Sequence, residues 1–537
     1  MTYGSIYEAV YDLYDPDDGW ERMVNVGDRD GLNLGEEALG RHGDSDETAL
    51  RLRDFGTGDV EEYSFAELNA AANRFANYLV EATERGDRVG AMLPTRLELY
   101  AVVFGTLKAG RVYVPLAPVF GPDAMGHRLD DAGASVLLTT GERYSAVAEA
   151  VPDCVEHVVL VDGESDEGRL EPYGTVDDHD DAFEAVDTHP ADPFALNYTS
   201  GTTGLPKGVP LEHGSVPGLY AYAEYVVDLR PDDTYFVAAS PAWSYGLVMG
   251  SIVPGMRGTA IGCYRGEFDG GMLMDTLARL DVDNAMIPPT ALRQLANAGV
   301  DVEGIDLRVL LAAGESLDEG SVEWCVDVLG TEPQDAYGLT EGGMSICNFA
   351  FDDWEVKPGS MGKPLPGVEV ALLDDDGEPV DQGEVGEICL RRDRDDSGSY
   401  WGRPQATAEK FTGRWFPTDD LARRDEDGYF WYVGRKDSVI VSSGYRIGPG
   451  EVEETLLRHD AVAEVAVVGV PDETRGEIVK AFVVTDGREP SDDLAEGITS
   501  FARRELSKHE YPREIEFLDE FPKTSTGKIA RSELESS

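Results

Sequence analysis

The chain has 537 residues, of which 42% are hydrophobic and 9% aromatic, enough to fill several packed cores and to exclude a disordered chain. Its formal charge of -59 arises because 104 acidic residues outnumber 45 basic ones along the whole sequence. Such a surface repels nucleic acids and anionic membranes, and we interpret it as adaptation to a salt-rich cytoplasm rather than as a local acidic interaction surface.

The cysteines and the N-terminus indicate where the protein works. The five cysteines are far apart, form no CxxC pair and are odd in number, so neither a disulfide framework nor a zinc site is predicted. A reducing, cytoplasmic environment follows. The N-terminus has no basic region followed by an apolar one, and no stretch approaches the roughly 18 apolar residues of a membrane span. The sequence therefore predicts a soluble protein.

The first 345 residues or so alternate between predicted helices and strands. Ser64 and Glu67 form a capping box that opens a helix, and Gly86 ends it. Four further elements are the strand RVGAML, the helix LELYAVVFGTLKAG and the strands RVYVPLAP and SVLLTT. This alternation predicts an α/β fold of layered, mostly parallel sheets, with ligands at the switch points between strands.

Beyond that point the pattern changes twice. Segments such as VEVALLDDDGEPV and GEICLRRD predict a small β-rich subdomain of short antiparallel strands. The last hundred or so residues then read as helix, strand, strand, helix and strand, a compact α+β module. We therefore predict two domains, residues 1–435 and residues 436–537, with the boundary near the sequence GRKDS.

The stretch YTSGTTGLPKG, residues 198–208, follows the apolar strand FALNY and is rich in glycine and hydroxyl residues. Backbone N–H groups freed by glycine can converge on phosphate oxygens, and the hydroxyl groups add further donors. A Walker A loop has glycine just before its lysine and Ser or Thr just after it, whereas Lys207 lies between Pro206 and Gly208. The loop therefore predicts a phosphate site that differs from that of the P-loop NTPases.

Five more motifs follow this loop: AAGESL (312–317), DAYGLTE (335–341), PTDDL (417–421), GRKDSVIVSSGYRIGPGEVE (434–453) and PKTSTGKIAR (522–531). With six motifs in order, nearly the whole chain resembles the AMP-forming adenylating enzymes. That family includes acyl-CoA synthetases, firefly-type luciferases and the adenylation domains of peptide synthetases. The phrase SSGYRIGP is most similar to the medium-chain acyl-CoA synthetase branch.

The resemblance implies an acid–thiol ligase, a carboxylate–CoA ligase that forms AMP and uses ATP, Mg²⁺ and coenzyme A. A carboxylate is a poor electrophile, so one of its oxygens must first attack the α-phosphate of ATP, which requires two anions to be held together. In the family the small C-terminal domain is mobile and then rotates about a hinge, so that a thiol can reach the acyl-adenylate. A monomer and a homodimer are both compatible with the sequence.

The resemblance also assigns residues to each part of this chemistry. The catalytic residues are Lys528, Glu341, Arg446 and Thr340, and the metal ligands are Thr199 and Glu341. The residues that bind ATP or coenzyme A are Thr199, Ser200, Gly201, Thr202, Thr203, Gly204, Lys207, Gly314, Glu315, Ser316, Asp335, Tyr337, Asp420, Arg435 and Gly444. Among these, Tyr337 is expected to stack on adenine, Asp420 to accept the ribose hydroxyls and Gly444 to lie beside the pantetheine thiol. Asp437 is the expected hinge.

One position departs from the family pattern. The residue before the ribose-binding aspartate is usually small, whereas this chain has Asp419 there. The extra negative charge leaves either Asp419 or Asp420 as the ribose contact.

The acyl pocket is expected along SPAWSYGL, residues 240–247, with Trp243 and Tyr245 as lining residues and Gly338 and Leu339 completing it. Relatives that activate amino acids have an aspartate in this segment to pair with the substrate ammonium, and this chain has none. A short, branched or medium-chain fatty acid fits best, with a benzoate-type aryl acid as the alternative. A stand-alone enzyme that loads a carrier protein is a further alternative, and a luciferase-type oxygenase and a non-catalytic nucleotide-binding protein are more distant ones.

Overall fold

The computed structural model describes residues 4–25, 29–163, 168–199, 205–300, 304–315, 317–392, 399–442, 445–472, 475–522 and 529–535. In chain order the strands are β1 (Thr48–Asp54), β2 (Val60–Ser64), β3 (Arg88–Met92), β4 (Val112–Pro115), β5 (Ala134–Thr139), β6 (His157–Leu160), β7 (Leu170–Pro172), β8 (Pro193–Thr199), β9 (Lys207–Glu212), β10 (Thr234–Val237), β11 (Ala260–Arg265), β12 (Asn284–Met286), β13 (Val309–Ala313), β14 (Pro333–Leu339), β15 (Gly343–Cys347), β16 (Lys363–Pro364), β17 (Val370–Leu373), β18 (Gly386–Arg391), β19 (Trp415–Arg424), β20 (Phe430–Arg435), β21 (Ile440–Ser442), β22 (Tyr445–Ile447), β23 (Val462–Asp472), β24 (Gly476–Thr485) and β25 (Glu514–Phe517).

The α-helices are α1 (Ile6–Leu13), α2 (Asp17–Met23), α3 (Leu34–Ala38), α4 (Phe65–Ala82), α5 (Leu97–Lys108), α6 (Pro122–Ala132), α7 (Gly141–Val147), α8 (Gly174–Asp177), α9 (Tyr220–Tyr225), α10 (Ser244–Leu247), α11 (Val253–Arg257), α12 (Gly270–Arg279), α13 (Pro289–Ala298), α14 (Glu319–Trp324), α15 (Pro404–Lys410), α16 (Pro449–Leu457), α17 (Asp492–Glu505) and α18 (Arg531–Glu535). The predicted capping box is confirmed at α4, where the Ser64 hydroxyl accepts the Glu67 N–H and the Glu67 carboxylate accepts the Ser64 N–H. In the described part of the chain, every helix is too short or too polar to cross a lipid bilayer.

The two large sheets are mostly parallel, as the alternation predicted. The seven-stranded sheet has the order β7-β6-β5-β3-β4-β8-β9, and its parallel run ends in the antiparallel pair β8–β9. The nine-stranded sheet has the order β16-β15-β14-β13-β12-β10-β11-β1-β2 and is parallel from β14 to β1. The largest core cluster contains residues of both sheets and of α4 and α5, so the layers share one interior.

The β-rich subdomain and the α+β module are also confirmed as folds. The subdomain is an antiparallel sheet of order β17-β18-β19-β20. The C-terminal module pairs β22, β21, β24 and β23 in an antiparallel order, with β25 parallel to β24, and α16 and α17 pack against the β23–β24 pair. Several predicted strands are shorter than expected: the RVYVPLAP strand is limited to Val112–Pro115, because the chain turns after Pro115.

This topology gathers loops from three sheets. The carboxyl ends of β8, β13 and β14 meet, which is where parallel α/β sheets place their ligands. The β19–β20 hairpin of the small sheet covers the same region.

Candidate active site

The predicted site residues meet in one cavity of about 880 Å³. Ser200, Gly201, Thr202, Thr203, Gly204, Ser316, Gly444 and Lys528 lie outside the described residues, and Arg446 is described only as backbone, in β22. All the other residues predicted to act in catalysis, nucleotide binding or acid binding line the cavity: Thr199, Lys207, Trp243, Tyr245, Gly314, Glu315, Asp335, Tyr337, Gly338, Leu339, Thr340, Glu341, Asp420 and Arg435.

Two residues from different sheets meet at the centre of this cavity. The Thr199 hydroxyl, at the end of β8, donates to a carboxylate oxygen of Glu341 at 3.0 Å, although 142 residues separate them in sequence. Tyr400 lies beside them: burial, followed by the Glu341 charge, raises the pKa of Tyr400 to about 12. The Lys207 ammonium lies 4.9 Å from the Tyr400 ring centroid. A hydroxyl, a carboxylate and an ammonium thus face one space.

The stem of the glycine-rich loop is held by α6. The Asp131 carboxylate accepts the Tyr198 hydroxyl at 3.0 Å and binds the Arg403 guanidinium through both of its oxygens, at 2.5 and 3.3 Å. At the other end of the loop, the His127 ring donates from Nε2 to the Pro206 carbonyl at 2.9 Å. One helix therefore contacts the chain on both sides of the segment predicted to hold phosphate.

Asp420, one of the two candidates for the ribose contact, is buried among hydrogen-bond donors. Asp420 is 8% exposed and accepts the Tyr337 hydroxyl at 2.7 Å and the Tyr432 hydroxyl at 3.1 Å. Arg435 is its direct partner across the β19–β20 pair, and an Nη1–Oδ1 distance of 3.6 Å joins the two side chains. Burial raises the pKa of Asp420, while the tyrosines and the arginine act in the opposite direction. This is a preorganised, buried acceptor at the cavity wall.

Asp419 has other partners. Its φ of +64° is left-handed, a conformation that glycine adopts without strain, which explains why a small residue suits the position. Its side chain points to the Lys410 ammonium at 2.5 Å, and its carbonyl accepts the Lys436 N–H at 2.6 Å. The same Arg435 lies 3.8 Å away. Lys410 and Arg435, which both line the cavity, therefore offset the charge of the extra carboxylate.

The segment predicted to contact adenine has a glycine with a positive φ and lies near a buried aspartate. Gly314 has φ +94°, and the next side chain, Glu315, accepts the Thr290 hydroxyl at 2.5 Å. Asp335, on the neighbouring strand β14 and paired with Ala312, is 8% exposed. Burial raises the pKa of its carboxyl from 3.8 to about 7.

The far end of the cavity is apolar with a hydroxyl cluster behind it. The Trp243 ring meets the Phe120 ring edge to face at 5.9 Å between centroids. The Tyr245 hydroxyl lies 3.0 Å from that of Tyr222 and 3.1 Å from that of Tyr235, so it is held by two buried tyrosines. These two hydrogen bonds hold the Tyr245 ring in one orientation, where it lines the cavity.

The family models match most of the chain. The model for AMP-binding enzymes covers residues 36–396, and the model for the C-terminal domain of AMP-binding enzymes covers residues 451–528. The chain belongs to the AMP-binding enzymes. The family expected from the motifs is thereby confirmed, and with it the class of enzyme, a carboxylate–CoA ligase.

Individual relatives resemble this AMP-binding enzyme over nearly its full length. An acetyl-coenzyme A synthetase from Bacillus subtilis (strain 168) is 36% identical over 94% of this chain and 90% of its own. The crystal structure of an acyl-CoA synthetase from Brucella canis covers 99% of this chain and 98% of its own at 34% identity and a TM-score of 0.76. A benzoate CoA ligase from Burkholderia xenovorans LB400 covers 94% of this chain and 100% of its own at 27% identity and a TM-score of 0.83.

The last helix of this AMP-binding enzyme is bound to α16 within the C-terminal module. Arg531, at the start of α18, binds both oxygens of Glu453, at 2.5 and 2.8 Å. Burial lowers the pKa of Arg531, but the charge and hydrogen bonds of Glu453, with smaller contributions from Tyr432 and Glu315, raise it overall. The predicted hinge residue Asp437 accepts the Arg435 Nε–H at 3.1 Å, so it is joined to the arginine that partners Asp420.

Sequence reasoning missed the residues that support the motifs from a distance. Tyr400 and Arg403 lie in a segment without a motif, and His127 and Asp131 lie on an ordinary amphipathic helix. Tyr432 could have been proposed from the sequence, because it lies three residues before the predicted Arg435 on the same strand. The other contacts join residues more than 60 positions apart, which sequence spacing does not reveal.

Proposed function

We propose that this protein activates a short, branched or medium-chain carboxylic acid with ATP and transfers the acyl group to CoA. The observation that supports this most is the convergence of Thr199, Glu341, Asp420 and Arg435 on one cavity with an apolar far end. In the first step a carboxylate oxygen attacks the α-phosphorus, and pyrophosphate leaves. In the second step the thiol sulfur attacks the acyl carbon, the thiol loses its proton, and AMP leaves.

The nucleotide would lie with its phosphates at the glycine-rich loop and its ribose at Asp420. Thr340 would contact the α-phosphate, and Lys207 would add positive charge at the loop. Arg446 and Lys528 would neutralise the charge that builds up as carboxylate and phosphate approach each other. Such catalysis relies on positioning and electrostatics, because no group of the protein is covalently changed.

The pair Thr199 and Glu341 fits a Mg²⁺ ion that also binds ATP. Mg²⁺ prefers oxygen ligands and commonly takes one or two from the protein and the rest from phosphates and water. Among the described residues, no three His, Cys, Asp or Glu side chains are grouped so as to hold a metal by themselves. The donor set thus suits a metal shared with the substrate. When bound, the ion would neutralise phosphate charge.

The acid would extend from the α-phosphate towards Trp243 and Tyr245. Gly338 contributes no side chain, and a Cβ there would meet the Gly343 carbonyl and the Met344 sulfur at 2.7 Å each. Any side chain at this position would therefore displace the neighbouring strand β15 and Met344. Two alternatives are an aryl acid, which the likeness to a benzoate CoA ligase favours, and transfer of the acyl group to a carrier protein instead of free CoA.

The domain rotation predicts separable half-reactions. We expect Lys528→Ala to abolish adenylation but to keep thioester formation from supplied acyl-AMP, and Gly444→Leu to do the reverse. Loss of both half-reactions in both variants would refute the rotation.

Pyrophosphate release tests the proposed function. The protein is assayed with ATP and Mg²⁺ in molar KCl, across acids from acetate to decanoate, branched acids and benzoate, with and without CoA. CoA-dependent turnover that peaks at one acid size supports the proposal. Release that stops near one equivalent whether or not CoA is present would point to a carrier protein, and a maximum at benzoate would point to the aryl alternative.

The acidic surface supports a salt-rich cytoplasm as the working environment. The proposed acid substrate, by contrast, supports fatty acid metabolism as the pathway class. Several ion pairs link exposed side chains, which gain little in dilute buffer. Self-repulsion of a net charge of -59 should be screened as salt rises. We expect the thermal unfolding midpoint to rise steadily with KCl concentration, and a flat or falling profile would contradict the salt adaptation.

A further inference from the structure

Three arginines among the described residues are buried, and two of them, Arg111 and Arg128, have no described carboxylate within ion-pair distance, whereas Arg53 pairs with Asp275. Arg111 is 5% exposed and Arg128 is 8% exposed. Burial lowers the pKa of both guanidinium groups. A buried cation without a counter-ion is costly unless its N–H groups are satisfied in another way.

Arg111 solves this problem inside the protein. Its Nε donates to the Thr83 hydroxyl at 3.0 Å, and its Nη2 donates to the Thr83 carbonyl at 2.6 Å and the Leu79 carbonyl at 3.4 Å. Its Nη1 donates to the Ala109 carbonyl. All three nitrogens therefore have protein acceptors, and the residue does not line the cavity.

Arg128 differs in both respects. Its Nη1 donates to the Ala124 carbonyl of its own helix at 2.7 Å, and this is its one hydrogen bond to the described residues. Its Cζ lies 4.1 Å from the Phe120 ring centroid and 5.8 Å from the Tyr198 ring centroid, and the side chain lines the cavity. Cation–π contacts offset only part of the cost of burying the charge. Four of the five N–H groups of Arg128 therefore have no acceptor among the described residues and can bind a ligand.

The nearest acid on the same helix cannot serve as the partner. Asp131, one turn further along α6, already accepts the Tyr198 hydroxyl and binds Arg403 through both oxygens. The rings of Phe120 and Tyr198 hold the guanidinium in place against the loop stem. The positive charge is thus held in place at the wall of a cavity, with no carboxylate partner in the part of the chain that the structure describes.

We propose that Arg128 is a phosphate-binding residue, whose guanidinium receives phosphate oxygens of a substrate bound in the cavity. This rests on the proposed function, because an apolar acid has no second anion and leaves ATP and CoA as the sources of phosphate. The planar fork of arginine suits bidentate contact with phosphate. Its position against Tyr198, the first residue of the glycine-rich loop, places it beside the segment expected to hold phosphate.

Arg128→Met, Arg128→Lys and the matched control Arg111→Met test this proposal. For each protein the KM for ATP is measured, together with kcat/KM for CoA and for pantetheine, which lacks the phosphates of CoA. ATP binding is also measured by calorimetry, without the acid. Thermal unfolding in molar KCl shows that each variant is folded, and Arg128→Lys retains the charge if the methionine variant does not fold.

Loss of a charge-assisted contact should weaken one phosphate-bearing substrate by about tenfold or more. If the source is ATP, Arg128→Met raises the KM and the calorimetric Kd for ATP and leaves the ratio of CoA to pantetheine unchanged. If the source is CoA, the preference for CoA over pantetheine falls and ATP binding is unaffected. Arg128→Lys should lose less than Arg128→Met, and Arg111→Met should change neither quantity selectively.

The proposal is overturned if both Arg128 variants keep the ATP affinity and the ratio of CoA to pantetheine within about twofold of the wild type, a change too small for a lost charged contact. An effect confined to dicarboxylic acids would also overturn it, since the anion would then be a carboxylate of the acid. Failure of the proposed function looks different: the wild-type protein would release no pyrophosphate in response to CoA, while ATP calorimetry would still test Arg128.

Discussion

Replacing Asp420 with Asn tests whether the ribose wall works as the geometry indicates. The change keeps the shape of a side chain that is 8% exposed but removes its charge and one of its two acceptor oxygens. In the folded protein both oxygens are used, by Tyr337 at 2.7 Å and Tyr432 at 3.1 Å, and Arg435 lies 3.6 Å away. The variant therefore weakens every contact that would orient the ribose.

The size of the effect follows from the charge. A hydrogen bond to an ionised group contributes about 1.5–3 kcal/mol, and about 1.4 kcal/mol corresponds to a factor of ten. Loss of one charged ribose contact should therefore raise the KM for ATP by about 10- to 150-fold. The dependence of kcat/KM on acid chain length should not change, because the acid lies at the other end of the cavity.

Asp419→Asn is the matched control, since it removes the same charge one residue earlier. Its carboxylate pairs with Lys410, and its side chain is 41% exposed, so we expect the KM for ATP to change by less than about threefold. Both variants are compared in the pyrophosphate assay in molar KCl. A large rise for Asp419→Asn together with a small one for Asp420→Asn would show that the ribose contact is Asp419 and would refute this reasoning.

Four further variants have separate outcomes. Glu341→Gln should raise the Mg²⁺ concentration needed for half-maximal pyrophosphate release by about tenfold or more, because a carboxylate is a better ligand than an amide. Gly338→Ala places a methyl group against the Gly343 carbonyl and the Met344 sulfur, so the β14–β15 pair must shift, and kcat/KM should fall for octanoate more than for acetate, by about tenfold. Arg403→Met should raise the KM for ATP about three- to tenfold, by freeing Asp131, without altering acid preference. Asp335→Asn should stabilise the protein, relative to the wild type, increasingly as pH rises from 5 to 8. A carboxyl whose pKa is about 7 when folded and 3.8 when unfolded binds more protons in the folded state, so the wild type loses about 2.6 kcal/mol of stability over that range.

Controls make each of these outcomes decisive. Arg391→Met removes an exposed ion pair with Glu369 and should leave the KM for ATP unchanged. Parallel stability curves for Asp335→Asn and the wild type across pH would contradict the buried, raised carboxyl. An unchanged metal requirement in Glu341→Gln would remove Glu341 from the metal site, and an acid profile for Gly338→Ala that falls equally for all lengths would indicate general destabilisation.

The sequence by itself determined the family, the layered α/β architecture and most of the cavity wall. It could do so because these depend on short-range signals: the capping box at Ser64, the periodicity of α4, and motifs whose spacing is set by one loop or strand end. Residues 335–341, for example, are contiguous and follow a buried strand, so their placement at a sheet edge could be predicted before any contact was known.

Only the tertiary structure decided between neighbouring candidates and revealed the supporting residues. Asp419 and Asp420 are adjacent in sequence but differ in burial and in their partners. Asp420 is buried against tyrosines of β14 and β20, whereas Asp419 pairs with Lys410. Asp131 and Arg403 are 272 residues apart. The sequence does not distinguish Arg128 from other arginines, and the structure does so because no described carboxylate pairs with it. Local sequence does not record which distant side chains share a low-dielectric space. Charge compensation and hydrogen-bond satisfaction become visible only once the chain is folded.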